Sequence, residues 1–433
     1  MFARIRDFWF WLQQSPWYIP AFLTVLALFI AVLILSLDFW IIQNEELLYP
    51  QILLSASPES ARYILSSIAS TMITVAGVVF SISVVAVSLA SSQFGPKVLP
   101  NFMGDKSNQI VLGSFIATFL YCLLILREIP DDVSQALPTI AINTALLAVI
   151  INTGFLIYFI HHIHRSVQID TIIAETAHET ETVIKRLYFR NAESGISYNP
   201  DIFSWKEIRA KKDGYLQDYD EHSLVHIANK HELILEILPK PGQFILKGNI
   251  LVKISKTTDE KTQRQITSQI ITGTHRLPIK DILYDMDQFV QIATRSLPPV
   301  TNDFYTALIC LDRLSAAINT IAQTPPPSPF FLDQNGAVRL VVKTFSFGEI
   351  VYNAFEPIIR ISSDSPEVII HLIHSLYKIA QQCSRNEYLL ILKDIGTRCC
   401  QISSTMRADA KDSLSMSCDQ LFTFIDSKVI TDH

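Results

Sequence analysis

The sequence predicts an α-helical membrane protein with four transmembrane helices, plus a cytoplasmic α+β region made of a small β barrel-sandwich-like module and a helical C-terminal domain. Three observations predict it. Of 433 residues, 49% are hydrophobic and only 18% are charged, against about 25% charged in a soluble domain. Mean hydropathy is +0.29. The apolar stretches gather before residue 165, and the remainder reads as water-soluble. Four of those stretches suffice to cross the ~30 Å hydrocarbon core at about 1.5 Å per residue.

The first runs 19 residues without charge, from Ile19 to Leu37. Arg4 and Arg6 precede it, as in a signal peptide, but Ser36-Leu37-Asp38-Phe39-Trp40 closes it without a small-x-small cleavage site, so it reads as a retained anchor. Trp9, Trp11, Trp17 and Tyr18 before it and Trp40 after it suit the two membrane interfaces. The second stretch is uncharged from Tyr63 to Pro96, the third runs Ile110 to Leu126, and the fourth runs Thr139 to Ile160 with Asn143 and Asn152 inside it. The transmembrane domain is therefore set at 1–165, with spans near 19–40, 64–92, 110–126 and 139–160.

Orientation follows the lysines and arginines of the short loops. Arg4, Arg6, Lys97, Lys106 and Arg165 fall on one side, and Arg62 and Arg127 on the other. Both termini come out cytoplasmic, in a multi-pass protein of a cell inner membrane.

Residues 166–190 keep a helical pattern through Ile169, Ile172, Ile173, Val183 and Ile184, and 191–204 form a loop. Alternation such as Leu233-Ile234-Leu235-Glu236-Ile237 places a small β module at 205–256. A helical segment follows at 266–322. Proline-rich QTPPPSP opens a linker at 323–330, and a helical domain occupies 338–428. Within the module Gly242, Ile245, Gly248 and Leu251 recur every three residues in PGQFILKGNILVKI. That run resembles the turn and strand of biotinyl/lipoyl-type barrel-sandwich domains. The lysine hairpin that carries their prosthetic group is missing, so the resemblance implies assembly or regulation.

Three blocks carry a wider resemblance: TMITVAGVVFSISVVAVSLASSQFGPKVL (Thr71 to Leu99), NQIVLGSFIATFLYCLLILR (Asn108 to Arg127) and DILYDMDQFVQIATRSLPPVTNDFYTALICLDRL (Asp281 to Leu314). Together they resemble a bacterial membrane protein family, domain of unknown function 2254, over most of the chain. The third block departs from the family's Ala-Leu-Ser-Pro-Gly-Ile-Asn-Asp-Pro, reading Ser296-Leu297-Pro298-Pro299-Val300-Thr301-Asn302-Asp303-Phe304. Tyr284-Asp285 replaces the usual Phe-Gly. The resemblance implies membership and a bacterial inner membrane, without an activity.

Net charge of −6 excludes the basic footprint of a nucleic-acid partner. Five of the six cysteines lie in the polar part, Cys399 and Cys400 adjacent, without metal-ligand spacing, and the expectation is reduced thiols. No nucleophile elbow, Walker loop, zincin helix or dinucleotide loop occurs, so neither enzyme nor cofactor is expected.

The second span is the most informative. Ser67, Ser70, Thr74, Gly77, Ser81, Val84, Ser88 and Ser91 recur at alternating intervals of three and four, which places them on one helical face. Ile68, Met72, Val75, Val79, Ile82, Ala86 and Leu89 form another face. An uncharged hydroxyl stripe suits the lining of an ion path. Taken alone it suits close packing between helices better, where small residues and hydroxyls meet, though its unbroken length narrows the difference.

Asp38, Glu45, Glu46 and Glu59 in the first outer loop, and Glu128, Asp131 and Asp132 in the second, would concentrate cations at a pore mouth or form solvated acidic loops. Asn143 and Asn152, nine residues apart, suit interhelical hydrogen bonds. His161 and His164 lie one turn apart where the fourth span ends. With His162 they suit an interfacial cluster or a pH-sensitive gate, and they lack a third ligand for metal. Gln93-Phe94-Gly95-Pro96 stops the second helix, and Gly95 and Pro96 could serve as a gate hinge. Asn302 reads as the N-cap of the helix beginning at Asp303, and Arg276 and Asp281 as a local pair.

The functional expectation is an oligomeric, cation-preferring ion channel or pore with a cytoplasmic gating or sensing domain. Its partners would be the lipid bilayer, inorganic ions and further copies of the chain. The rival is a non-conducting membrane scaffold or signalling protein that docks cytoplasmic partners.

Overall fold

A computed structural model describes residues 17–43, 57–94, 105–130, 137–166, 168–188, 203–277, 279–298, 301, 303–402 and 408–431. The chain forms two compact units, Met1–Ile172 and Ile173–His433.

The first unit contains helices α1 (Tyr18–Gln43), α2 (Pro58–Phe94), α3 (Lys106–Arg127) and α4 (Thr139–Ser166). All four are long and apolar enough to cross a membrane. Helix α2, at 37 residues, reaches ~55 Å, so it either tilts or projects beyond the hydrocarbon. Helix α3 lies centrally and packs against the other three. Val111, Phe115, Cys122 and Ile125 of α3 meet Leu65, Met72 and Val79 of α2 and Ala141 and Ala145 of α4 in one core. The approach of α1 to α3 is close because Gly113 has no side chain: a Cβ there would stand 2.8 Å from Pro20 Cα. Phe22, Val25 and Phe29 of α1 and Ile150 and Ile157 of α4 stay exposed, as lipid contact requires.

In the second unit, α5 (Ile169–Tyr188, entering from the first unit) precedes β1 (Lys206–Arg209), β2 (Gly214–Tyr219), α6 (Glu221–Lys230), β3 (Leu235–Ile237), β4 (Phe244–Ile245) and β5 (Ile250–Ile254). Then follow α7 (Glu260–Ser268), β6 (Ile270–Gly273), α8 (Ile282–Ser296), α9 (Phe304–Gln323), β7 (Phe330–Leu332) and β8 (Val338–Val342). Helices α10 (Phe347–Ile361), α11 (Pro366–Gln382), α12 (Asn386–Ile402) and α13 (Ala408–Thr431) complete it.

One sheet has the order β1-β5-β3-β8-β7 and the other β4-β2-β6. Ile208 pairs with Val252 and Leu235 with Ile254, both antiparallel. Leu235 also pairs with Leu340 in the parallel β3–β8 ladder. The sheet region therefore recruits β6, β7 and β8 from beyond residue 256. The proline-rich stretch leads straight into β7, which returns the chain to that sheet. The spacing of three in the module has a backbone cause. Gly242 and Gly248 adopt φ of +78° and +91°, a region that favours glycine, while Ile245 and Leu251 point into the core.

Local signals set the helix ends. Ser346 and Glu349 form a reciprocal capping box at α10, and Pro366 occupies the first turn of α11. The cap of α9 is Asp303, which accepts from Thr306 N at 3.2 Å, and not Asn302, which lies outside the described residues.

The thiol expectation fails for one pair. Cys400 of α12 and Cys418 of α13 form a disulfide across packed helices, with Cα atoms 6.7 Å apart. Helix pairing, not sequence spacing, brings them together. Cys122, Cys310, Cys383 and Cys399 are free and buried. Burial pushes the Cys310 and Cys399 thiols up to about 12, which leaves them protonated and inert as nucleophiles at neutral pH.

Candidate functional site

The apolar face read from the sequence is only partly buried: Ile68, Met72, Val79 and Ala86 are buried and Val75 half-buried, but Ile82 and Leu89 are exposed, because the buried line of α2 runs through Leu65, Ala69, Ala76 and Ala90 instead. Leu65, Ile68, Met72, Ala76, Val79, Ala86 and Ala90 are buried against the first unit's own helices. Ser67, Ser70, Thr74, Gly77, Ser81 and Ser88 are exposed, as is Val84, and Ser91 is half-buried. The exposed positions of the stripe thus point away from the core of their own bundle. A Cβ at Gly77 would meet nothing within 4 Å.

Two hydroxyls of the stripe turn their protons inward. Thr74 Oγ1 donates to Ser70 O at 2.8 Å, and Ser81 Oγ donates to Gly77 O at 2.9 Å. Each hydroxyl oxygen keeps lone pairs. At these two positions the stripe therefore offers acceptors, a property that suits cations better than anions.

The inner face of the bundle holds the polar groups that its helices require. Asn152 Nδ2 of α4 donates to Thr118 Oγ1 of α3 at 2.7 Å, with Met72 Sδ of α2 at 3.5 Å. This is the interhelical bond expected of Asn152. The Asn143 amide turns back on its own helix, donating to Thr139 O at 2.9 Å. Tyr121 OH donates to Ala141 O at 3.0 Å.

Asp38 requires a correction, because it does not belong to an outer acidic loop. It lies within α1, fully buried, and accepts from Ile140 N at 3.1 Å and Ala141 N at 2.9 Å. It therefore caps the start of α4 from a neighbouring helix. Glu59 occupies the first turn of α2. Glu128 is exposed at the end of α3, 3.7 Å from Arg127. Glu45, Glu46, Asp131 and Asp132 lie outside the described residues, as do Gly95 and Pro96.

His161 and His164 are exposed at the end of α4, and His164 Nε2 stands 3.5 Å from Gln168 Nε2. The histidine with a built environment is His162. Its Nε2 stands 2.5 Å from Asp105 Oδ2, and its ring stacks on Tyr158 with centroids 5.5 Å apart. Asp105 also accepts from Ser107 N at 2.8 Å and so caps α3. The pair ties the start of α3 to the end of α4. The Asp-Lys-Ser-Asn cap signal at 105–108 was present in the sequence, but its link to His162 was not. No cluster of three or more metal-ligating side chains occurs among the described residues.

In the second unit, Arg276 Nε donates to Asp281 Oδ2 at 2.7 Å, and its Nη1 donates to Asp287 Oδ2 at 2.8 Å. Burial raises the Asp281 carboxyl above the usual carboxylate range, and Arg276 opposes that shift. A Cβ at Gly242 would lie 1.8 Å from Asp281 Oδ2, so a glycine turn and a buried ion pair fit one another. The arrangement locks the sheet region to the start of α8.

Four apolar spans, three of them packed around α3, an outward hydroxyl stripe on α2 and a large α+β unit define a multi-pass membrane protein. Residues 13–378 match the family described as predicted membrane protein, domain of unknown function 2254, and the chain belongs to that family. Uncharacterized proteins of Mycobacterium bovis and of two Mycobacterium tuberculosis strains are similar to it. Each is 28% identical over 388 residues, covering 86% of this chain and 73% of its own length. No solved structure matches.

Proposed function

We propose that copies of the chain assemble in a bacterial inner membrane around their α2 helices, and that the shared axis conducts ions, cations preferentially. The carrying observation is the outward direction of the stripe. Six of its positions are exposed and lie outside the buried core of the bundle. Against lipid, this face gains nothing from its hydroxyls. Against further copies, small residues permit close approach and the acceptor oxygens replace part of an ion's hydration. In this reading both termini are cytoplasmic and the second unit serves as the gate or sensor.

Ion flux from liposomes reconstituted with purified protein tests the reading, comparing wild type with Ser81→Leu and Gly77→Leu. Both side chains would project from an open surface, so folding of the single chain should survive. The proposal expects wild-type flux, higher for potassium than for chloride, and its loss in both variants. No flux at any voltage or pH, from protein that is correctly assembled, would instead leave a non-conducting scaffold that docks soluble partners.

A further inference from the structure

The second unit contains a cleft that the membrane reading does not use, with a volume of about 140 Å³. Six separate segments form it: the last turn of α5, the β2–α6 junction, Pro241 in the β3–β4 turn, Lys280 and Ile282 at the start of α8, the proline-rich segment running into β7, and the end of β8 with the chain just after it. The proline-rich stretch thus acquires a role as a wall, since Pro327 and Ser328 line the cleft.

Five aromatic side chains line it, Tyr188, Tyr219, Phe330, Phe331 and Phe345, among aliphatic and proline neighbours. Rings of this kind bind a flat apolar body at little entropic cost. The charges around them are unbalanced. Arg186, Lys280 and Lys343 line the cleft against a single lining carboxylate, Glu221. Lys280 is already answered: it donates to Glu221 and the Tyr219 carbonyl, lies 2.8 Å from Asp218, and sits 3.9 Å over the Tyr219 ring. Arg186 and Lys343 are exposed and have no carboxylate partner among the described residues. The Thr344 hydroxyl adds a donor beside them. An aromatic bed with two uncompensated cations at its rim is complementary to a ring that carries an anionic group.

We propose that this cleft binds a small aromatic anion, with its ring against the aromatic wall and its phosphate or carboxylate toward Arg186 and Lys343. The site is independent of whether the spans conduct.

Isothermal titration of the full chain in lipid nanodiscs tests this with two probes, 1-naphthyl phosphate and adenosine monophosphate. Saturable binding of at least one probe is expected. Arg186→Glu and Lys343→Glu should each weaken it by about tenfold or more, and adenosine and inorganic phosphate should each bind at least about tenfold more weakly than the nucleotide. Thr344→Trp, which fills the cleft without altering its charge, should abolish binding. Lys185→Glu, a neighbouring cation paired with Glu181, should leave it unchanged. Failure of both probes to saturate would overturn the proposal, as would binding unaltered by either charge reversal.

Discussion

The Asp38 carboxylate and the Ala141 backbone amide, 103 positions apart in the chain, lie 2.9 Å from one another inside the apolar bundle. The bond explains how α4 can begin against an apolar, buried environment. The first N–H groups of any helix lack partners within it, and hydrocarbon offers none. Asp38 supplies two acceptors, for Ile140 and Ala141, from the flank of α1.

Removing this cap should loosen the bundle. Asp38→Ala is expected to cost about 1–2 kcal/mol, read as a lower unfolding midpoint of the first unit in detergent. Asp38→Asn keeps one acceptor and should cost less. Equal, undiminished stability in both variants would show that the amides find other partners.

Two glycines in the spans should respond in opposite ways. At Gly113 a side chain meets the Pro20 backbone at 2.8 Å, whereas at Gly77 it meets open space. Gly113→Leu is therefore expected to destabilise the bundle by about 1–3 kcal/mol or more through overpacking. Gly77→Leu should leave the stability of the single chain near wild type. Thermal unfolding of the two variants side by side decides the matter, and the reverse order would contradict the packing described.

Acid should weaken the start of α10. Partial burial pushes the Glu349 carboxyl up, but hydrogen bonds from Lys240 and Ser346 outweigh it and hold the group below its ordinary 4.5. Lys240 Nζ reaches both Glu349 oxygens at 2.6 Å. A depressed carboxylate contributes stability that is present above pH 4.5 and lost as pH falls through its folded value. Glu349→Gln should flatten the acid-side decline of the second unit's unfolding midpoint. An unchanged profile between about pH 6 and pH 3, roughly the carboxylate range, would remove this group from the account.

The cysteines should divide into two groups. Four thiols are buried and free, and Cys400 and Cys418 are joined. Native protein isolated without reductant should take up little maleimide, and reduction should release the α12–α13 pair for labelling ahead of Cys399. Mass spectrometry of labelled peptides reads this directly. Rapid labelling of Cys400 without reductant would mean that the bond is absent.

What was legible in the sequence was what repeats along one element. The spans and the exposed face of α2 followed from an apolar run and a period of three and four, and the exposed Ser70 and buried Met72 fall where that period puts them, whereas Ile82 and Leu89, read as part of the apolar face, are exposed. Gly242 and Gly248 announced their turns. What was hidden depends on pairs of elements. Asp38 reads as a loop acid until α4 is placed beside it, and His162 is one histidine among three until Asp105 arrives from α3. Likewise β7 and β8 join a sheet whose previous strand, β5, ended over 70 residues earlier, a crossover that local alternation cannot reveal.

The central claim is that the exposed stripe of α2 faces water in an assembly, and single-cysteine accessibility tests it most directly. Ser67, Ser70, Thr74, Ser81 and Ser88, each replaced by cysteine, would be treated in proteoliposomes with a charged, water-soluble thiol reagent. Flanking exposed positions, Ile73, Val78 and Val85, serve as the comparison. The account predicts reaction at the stripe and none at the flanks, with the period of three and four visible in the rates. Silence along the whole stripe, or equal reaction at stripe and flanks, would contradict it.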